Sequence, residues 1–317
     1  MKIYLTGGSG FVGGNIIHVA NAKYQADLFV SVHKRKPGIE APFRHETVDL
    51  LNREDVFRSV EAFKPDAIIH SAAILDFATL YGDRSLAWKV YVDTTRDLVE
   101  AANRVGAKMV FVSSDWVFDG TQSFADENTP PNPINFYGVM KVVGETIVLE
   151  NASNGAVARV AGVSGVDWNN PGVRRGQNAG MGYFVNTIID NLRRNTRFVV
   201  WEGDINMMAT PSLATECADM IMRIVSLDRQ GIFHCCGGES ATRIELARLV
   251  AEVFDFDPDM IESAAPDPKD PGSMSWCPVP RDTRLSAERS ATELSYHLPD
   301  LRQWLKTLHG QLENQSA

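Results

Sequence analysis

The stretch Thr6-Gly7-Gly8-Ser9-Gly10-Phe11-Val12-Gly13 constrains this chain more than any other. The apolar run Ile3-Tyr4-Leu5 leads into it, and Val12, Ile16, Val19 and Ala20 follow at the spacing of one helix face. The glycines therefore lie between a first strand and a first helix. That junction is where a dinucleotide-binding fold holds a pyrophosphate, on backbone N–H groups at the positive end of the helix. Gly7, Gly10 and Gly13 serve a tight turn, close backbone approach and close helix packing, and Phe11 and Val12 join them as cofactor contacts. The spacing is Gly-x-x-Gly-x-x-Gly rather than the general G-x-G-x-x-G.

Beyond the turn, strand and helix patterns alternate to about residue 160. This alternation predicts an α/β fold, a doubly wound parallel sheet. Strands are expected at Asp27–Val32, Glu46–Leu50, Ala67–His70, Met109–Val112 and Ala156–Val160, with one more at Gly231–His234. A long helix is expected from about Ser85 to Val105, stopped by Gly106. Another should start with Thr210 as cap and Pro211 at its first position. The length of 317 residues suits one large domain and a smaller partner. The expected division is a dinucleotide-binding domain over 1–165, to which the chain returns around 205–236. A smaller α/β substrate-binding domain then takes 166–204 and 237–317.

The second strand ends in His33-Lys34-Arg35, a cationic cluster. An NAD site carries a carboxylate about 20 residues beyond the glycines, on the adenosine ribose. Positive charge in its place suits a 2′-phosphate, so NADP(H) is the expected cofactor and NAD(H) the second choice. A solvated basic loop would carry the same residues. Ser71-Ala72-Ala73, at the end of a buried strand, would let a flat cofactor lie close to the backbone, although tight strand packing accounts for them equally.

The net charge of −9 and the lack of a basic tail argue against a nucleic-acid partner. No apolar run reaches the length of a membrane span, and the start Met1-Lys2-Ile3 leaves no room for a signal peptide. Cys217, Cys235, Cys236 and Cys277 form no C-x-x-C pair and read as reduced fillers of a cytoplasmic protein, not as metal ligands.

Tyr137 and Lys141 are four residues apart, so on a helix they share a face about 6 Å from one another. A nearby ammonium would lower the tyrosine pKa from its ordinary value of about 10 and let it pass a proton near neutrality. Ser113-Ser114 ends a predicted buried strand not far upstream.

Thr6 to Gly13, Asp49-Leu50, Ser114, and Tyr137 with Lys141 together resemble the extended short-chain dehydrogenase/reductases. Within that family, Val112-Ser113-Ser114-Asp115-Trp116-Val117-Phe118-Asp119-Gly120 and Tyr137 to Glu145 look like the dTDP-4-dehydrorhamnose reductases, as do Gly231 to His234 and Pro280-Arg281. The resemblance is strong through residue 165 and patchy after it. It implies that Tyr137 is the proton donor or acceptor, and that Lys141 binds the nicotinamide ribose. Ser114 would hold the substrate carbonyl, Asp49 and Leu50 would contact the adenine, and Trp116 and Phe118 would line the substrate pocket.

The implied activity is NADP-dependent reduction of a nucleotide-linked 4-keto sugar, with a homodimer as the candidate assembly. A sugar-nucleotide epimerase or dehydratase uses the same fold. A regulatory subunit of methionine adenosyltransferase resembles the same reductases and binds NADP without a known need for turnover. A nucleotide diphosphate needs cationic, fork-shaped partners, which Arg174, Arg175 and Arg281 could supply. The chain departs from the reductases at Gly162, where they have a tryptophan, and at Tyr91, where the wider family often has an asparagine. Glu202 to Asn206 departs as well.

Overall fold

The computed structural model describes residues 1–173 and 176–316. Strand β1 (Lys2–Thr6) is buried from Ile3 onward and runs through the glycine turn into helix α1 (Phe11–Tyr24). Strand β2 (Asp27–Val32) follows, then β3 (Arg44–Thr47). The third strand sits earlier than Glu46–Leu50, because Phe29–Val32 pair in parallel with Arg44–Thr47. The chain then turns at Asp49, whose carbonyl accepts from Asn52. Helix α2 (Arg53–Phe63) starts on the Asn52 side chain, which accepts from the backbone N–H groups of Glu54 and Asp55. Strand β4 (Ala67–His70) leads to the short helices α3 (Phe77–Gly82) and α4 (Arg84–Trp88). The expected long helix is present from Arg84 to Val105, with a π-helical turn set into it. A π-helical turn over Lys89–Asp93 joins α4 to α5 (Thr94–Val105), which ends at Gly106 with φ 71°. Strand β5 (Lys108–Ser114) is wholly buried, and helix α6 (Phe136–Asn151) and strand β6 (Gly155–Val160) complete this half.

The rest of the chain is built from shorter pieces. They are β7 (Val163–Ser164), α7 (Phe184–Leu192), β8 (Phe198–Trp201), β9 (Met208–Ala209) and β10 (Ser212–Leu213). Next come α8 (Ala214–Ser226), β11 (Gly231–His234), β12 (Ala241–Thr242) and α9 (Arg243–Val253). The last are β13 (Ile261–Ala264), β14 (Asp282–Thr283), α10 (Glu288–Glu293) and α11 (Leu301–Ser316). The helix expected at Thr210 begins instead at Ala214. Thr210 is engaged elsewhere, its hydroxyl donating to the Leu285 carbonyl and accepting from the Leu285 N–H.

The main sheet has seven strands in the order β11-β6-β5-β4-β1-β2-β3, and every pairing is parallel. Strand order reverses between β1 and β4, so a crevice opens beyond their carboxyl ends, where open α/β sheets bind ligands. One apolar core, including Ile16, Ile17, Ile221 and Ile224, lies between the sheet and α1 with α8. A second, including Tyr4, Val60 and Leu98, lies against α2 and α5. A third joins Ile188, Val200, Leu246 and Trp304, from α7, β8, α9 and α11. No described helix is long and apolar enough to cross a membrane.

Candidate active site

A cavity of about 790 Å³ runs along the crevice from the glycine turn to Tyr137. Gly7 has φ +72°, and a Cβ there would stand 2.6 Å from the Ala72 nitrogen. At Gly13 a Cβ would stand 2.2 Å from the Gly7 carbonyl oxygen. Only glycine leaves backbone exposed in this cradle, which fits a pyrophosphate lying on it. Gly10, Phe11 and Val12 line the same end. Asp49 and Leu50 line it after β3, and Ser71, Ala72 and Ala73 after β4.

His33, Lys34 and Arg35 are all exposed, and His33 and Arg35 line the cavity while Lys34 between them does not. Sequence reasoning missed Asn169. Its buried amide donates to the carbonyls of Gly8 (2.8 Å) and Gly10 (2.9 Å), and its oxygen accepts from the Gly38 N–H (3.0 Å). One side chain from the second half of the chain thereby ties the glycine turn to the basic loop. Nothing local in the sequence marks it.

At the other end, Tyr137 and Lys141 project from the first turns of α6, anchored by Asn135, whose side chain accepts from the Gly138 N–H. The Lys141 ammonium donates to the Val112 carbonyl (2.8 Å) and lies 5.1 Å from the Phe111 ring centre, 5.5 Å from Tyr91 and 5.8 Å from Tyr137. Burial pushes its pKa down to about 8, with Glu145 acting in the opposite direction. Burial also raises the Tyr137 phenol, hydrogen bonding to Ser114 lowers it, and the Asp115 carboxylate raises it further. The net shift is upward, the reverse of the lowering expected from Lys141, because desolvation is the largest cause and the opposing one comes from Ser114. Tyr137 is therefore a loaded proton donor at neutral pH.

Ser114, at the end of β5, faces this phenol and is almost fully buried. Its hydroxyl donates to Asp115 Oδ1 (2.9 Å) and accepts from the Trp116 N–H (3.2 Å). Trp116 lines the cavity as expected, its ring 6.0 Å from that of Tyr137 at 84°. Phe118 does not. It is buried in a separate cluster beneath the Arg159 guanidinium, because the 3-10 turn at Asp115–Val117 sends it to the other side. Arg281 is exposed and outside the cavity wall, its carbonyl pinned by the N–H groups of Met207 (2.8 Å) and Met208 (3.1 Å). The expected contact residues Arg174 and Arg175 lie outside the described residues.

Two further residues were not anticipated as site residues. Tyr91, in the π-helical turn, donates to the Ile74 carbonyl (2.7 Å) and stands edge-on to Tyr137. Arg243 is fully buried, and desolvation lowers its pKa to about 9. It donates to the carbonyls of Asn206 (2.7 Å), Asn178 (2.8 Å), Ala179 (2.9 Å) and Gly180, and to Gln177 Oε1 (3.0 Å). Asn178 and Gly180 line the cavity, so Arg243 fixes one of its walls from behind.

Comparison with known proteins gives a match over residues 1–314 to the family described as RmlD substrate binding domain. The beta subunit of methionine adenosyltransferase 2 from Bos taurus is 25% identical over 294 residues, covering 92% of this chain and 82% of that protein. A dTDP-4-dehydrorhamnose reductase from Burkholderia thailandensis is 34% identical over 155 residues, 49% of this chain and 47% of that one. The crystal structure of dTDP-4-dehydrorhamnose reductase from Bacillus anthracis in complex with NADP superposes with a TM-score of 0.77 at 20% identity, covering 98% of this chain and 99% of that chain.

Proposed function

This chain belongs to the RmlD substrate binding domain family, and from that premise we propose that it is an NADP(H)-dependent reductase of a nucleotide-linked 4-keto sugar. The observation that carries the reading is that Tyr137 and Lys141 line one end of a cavity whose other end is the glycine cradle, with Ser114 against the Tyr137 phenol. The bound cofactor supplies hydride to the carbonyl carbon. The chain supplies the rest. Ser114 orients the carbonyl oxygen, and the neutral Tyr137 phenol gives it a proton as negative charge develops there. The Lys141 ammonium, held by Val112, offers its remaining N–H donors to the nicotinamide ribose. His33 and Arg35 take the 2′-phosphate.

A second reading has a specific observation in its favour. The methionine adenosyltransferase beta subunit matches a far larger share of this chain than the reductase from Burkholderia does. In that reading the cofactor site serves a regulatory partner. Mixing the protein and NADPH with dTDP-4-dehydrorhamnose and other nucleotide-linked 4-keto sugars separates the two. Turnover that consumes NADPH supports the reductase. Tight NADPH binding without turnover, together with co-purification of a methionine adenosyltransferase catalytic subunit, would replace it with the regulatory reading.

A further inference from the structure

Arg243, the first residue of α9, holds a run of consecutive carbonyls. Its guanidinium donates to those of Asn178 (2.8 Å), Ala179 (2.9 Å) and Gly180, and no carboxylate is among its partners. With a pKa of about 9 it stays a cation at neutral pH although it is fully buried. A buried cation at the positive end of a helix, without a counter-ion, works against folding. Its placement calls for a task beyond holding the fold.

The direction of the peptides supplies one. In a trans peptide the C=O of one residue and the N–H of the next point opposite ways. No peptide bond among the described residues is cis. With the carbonyls of Asn178, Ala179 and Gly180 aimed at Arg243, the N–H groups of Ala179, Gly180 and Met181 are aimed away from it. The first of these donates to the Gly272 carbonyl (2.7 Å). The N–H groups of Gly180 and Met181 have no acceptor among the described residues, although both residues are buried. Both residues line the cavity. Buried backbone donors are nearly always paired with protein, water or ligand.

Resting on the reductase reading above, we propose that the N–H groups of Gly180 and Met181 hold the diphosphate of the nucleotide sugar, and that Arg243 is the positioning residue that aims them. Each peptide held by Arg243 turns its negative end to the guanidinium and its positive end away. Successive N–H groups arranged in this way form a concavity for an anion. Helix α7 begins at Phe184, just beyond, and its positive end adds to the same field. The segment is braced in advance, since the Ala179 carbonyl also accepts from the Asn206 N–H (2.9 Å). Its place suits the substrate. A Cβ on Gly180 would stand 3.0 Å from Trp116 Cζ2, and the Trp116 ring centre is 6.0 Å from that of Tyr137. One indole separates the donors from the phenol, so a diphosphate on the donors leaves its sugar beside Tyr137.

The test compares the parent with Arg243→Lys, both saturated with NADP so that the glycine cradle is filled. Lysine keeps the charge but lacks the planar fork that spans several carbonyls. In calorimetric titrations with dTDP, UDP and their nucleosides, Arg243→Lys should weaken the tighter diphosphate about tenfold. The matching nucleoside, and NADPH itself, should stay within about twofold. KM for the sugar that is turned over should rise by a similar factor to the diphosphate loss, with kcat within about threefold. A wall that had merely collapsed would lose nucleoside and diphosphate alike, and that result overturns the proposal. A second measurement needs no change at Arg243. In parent protein labelled on methionine nitrogen, the Met181 amide resonance, assigned through Met181→Leu, should move with the diphosphate and with inorganic pyrophosphate and stay still with the nucleoside. An unmoved Met181 amide at saturating diphosphate overturns the site, even where a nucleotide sugar is reduced. A moving Met181 amide in a protein that reduces no sugar supports the anion site and counts against the reductase reading instead.

Discussion

Burial moves Tyr137 and Lys141 in opposite senses, and each shift has a measurable consequence. The Lys141 pKa falls from 10.5 to about 8 on folding, so between those values the unfolded chain binds more protons than the folded one. Stability contributed through Lys141 therefore rises with pH across this window. Relative to Lys141→Met, the parent should gain roughly 3 kcal/mol between about pH 7.5 and pH 10.5, the equivalent of the titration completed there. Chemical denaturation of both proteins at the two pH values measures it, and a constant difference would show that Lys141 is not desolvated as described. At the adenosine end, Arg35 lines the cavity and Lys34 does not. Arg35→Ala should weaken NADPH binding about tenfold while sparing NADH, and Lys34→Ala should change neither by more than about twofold, as for a solvated charge. Calorimetric titration with both nucleotides decides this, and equal losses in the two variants would return the cluster to an undivided basic loop. Spacing paired Tyr137 with Lys141, and the resemblance added Ser114 and the roles of all three. The direction of the tyrosine shift was not legible, because desolvation depends on what the fold packs over the ring. Phe111 and Tyr91, which crowd Lys141, come from β5 and the π-helical turn.

Strands β4 and β5 were legible because Ala67-Ile68-Ile69 and Met109-Val110-Phe111-Val112 are apolar on both faces, whereas the polar β3, Arg44–Thr47, was placed too late. Thr242 and Glu245 announce α9 by their spacing, and the capping box they form is present in full. The π-helical turn at Lys89–Asp93 gave no such signal, since its apolar residues continue the helical spacing on either side. Thr210-Pro211 gave a false one. The hydroxyl that would cap a helix is taken by Leu285, a residue far along the chain. Asn169 belongs to the same class. It stands in a polar, glycine-rich segment that reads as a loop, yet its amide closes the glycine turn and the basic loop together. Asn169→Ala should weaken NADPH binding about tenfold, since it leaves the carbonyls of Gly8 and Gly10 and the N–H of Gly38 without this partner. Its kcat at saturating NADPH should stay within about threefold of the parent, because the change lies at the far end of the cavity from Tyr137. Unchanged NADPH affinity would reduce Asn169 to a loop filler.

Across the whole molecule, legibility follows the range of the contacts. Through residue 160 strand and helix alternate, and each signal is contained within one short window of sequence. After it, β7, β9, β10, β12 and β14 are two residues long and carry no periodicity. Their pairing depends on partners far apart, as when Asp282 and Thr283 lie alongside Met208 and Ala209. The substrate side of the cavity is made from this half, through Asn178, Gly180, Met181 and Met274. It is in this half that the structure puts Arg281 outside the cavity wall, while Phe118, from the first half, is buried in a separate cluster. The central claim is that the two ends work together, one holding the nucleotide and the other passing a proton to a reducible sugar. It is tested most directly by single turnover with NADPH deuterated on the transferable position and dTDP-4-dehydrorhamnose, reading deuterium in the sugar by mass spectrometry. The parent should place one deuterium on the former carbonyl carbon, and Tyr137→Phe should do so about 10²-fold more slowly with NADPH affinity unchanged. Deuterium transfer at equal rates in the two proteins, or none from a parent saturated with NADPH, would contradict the account.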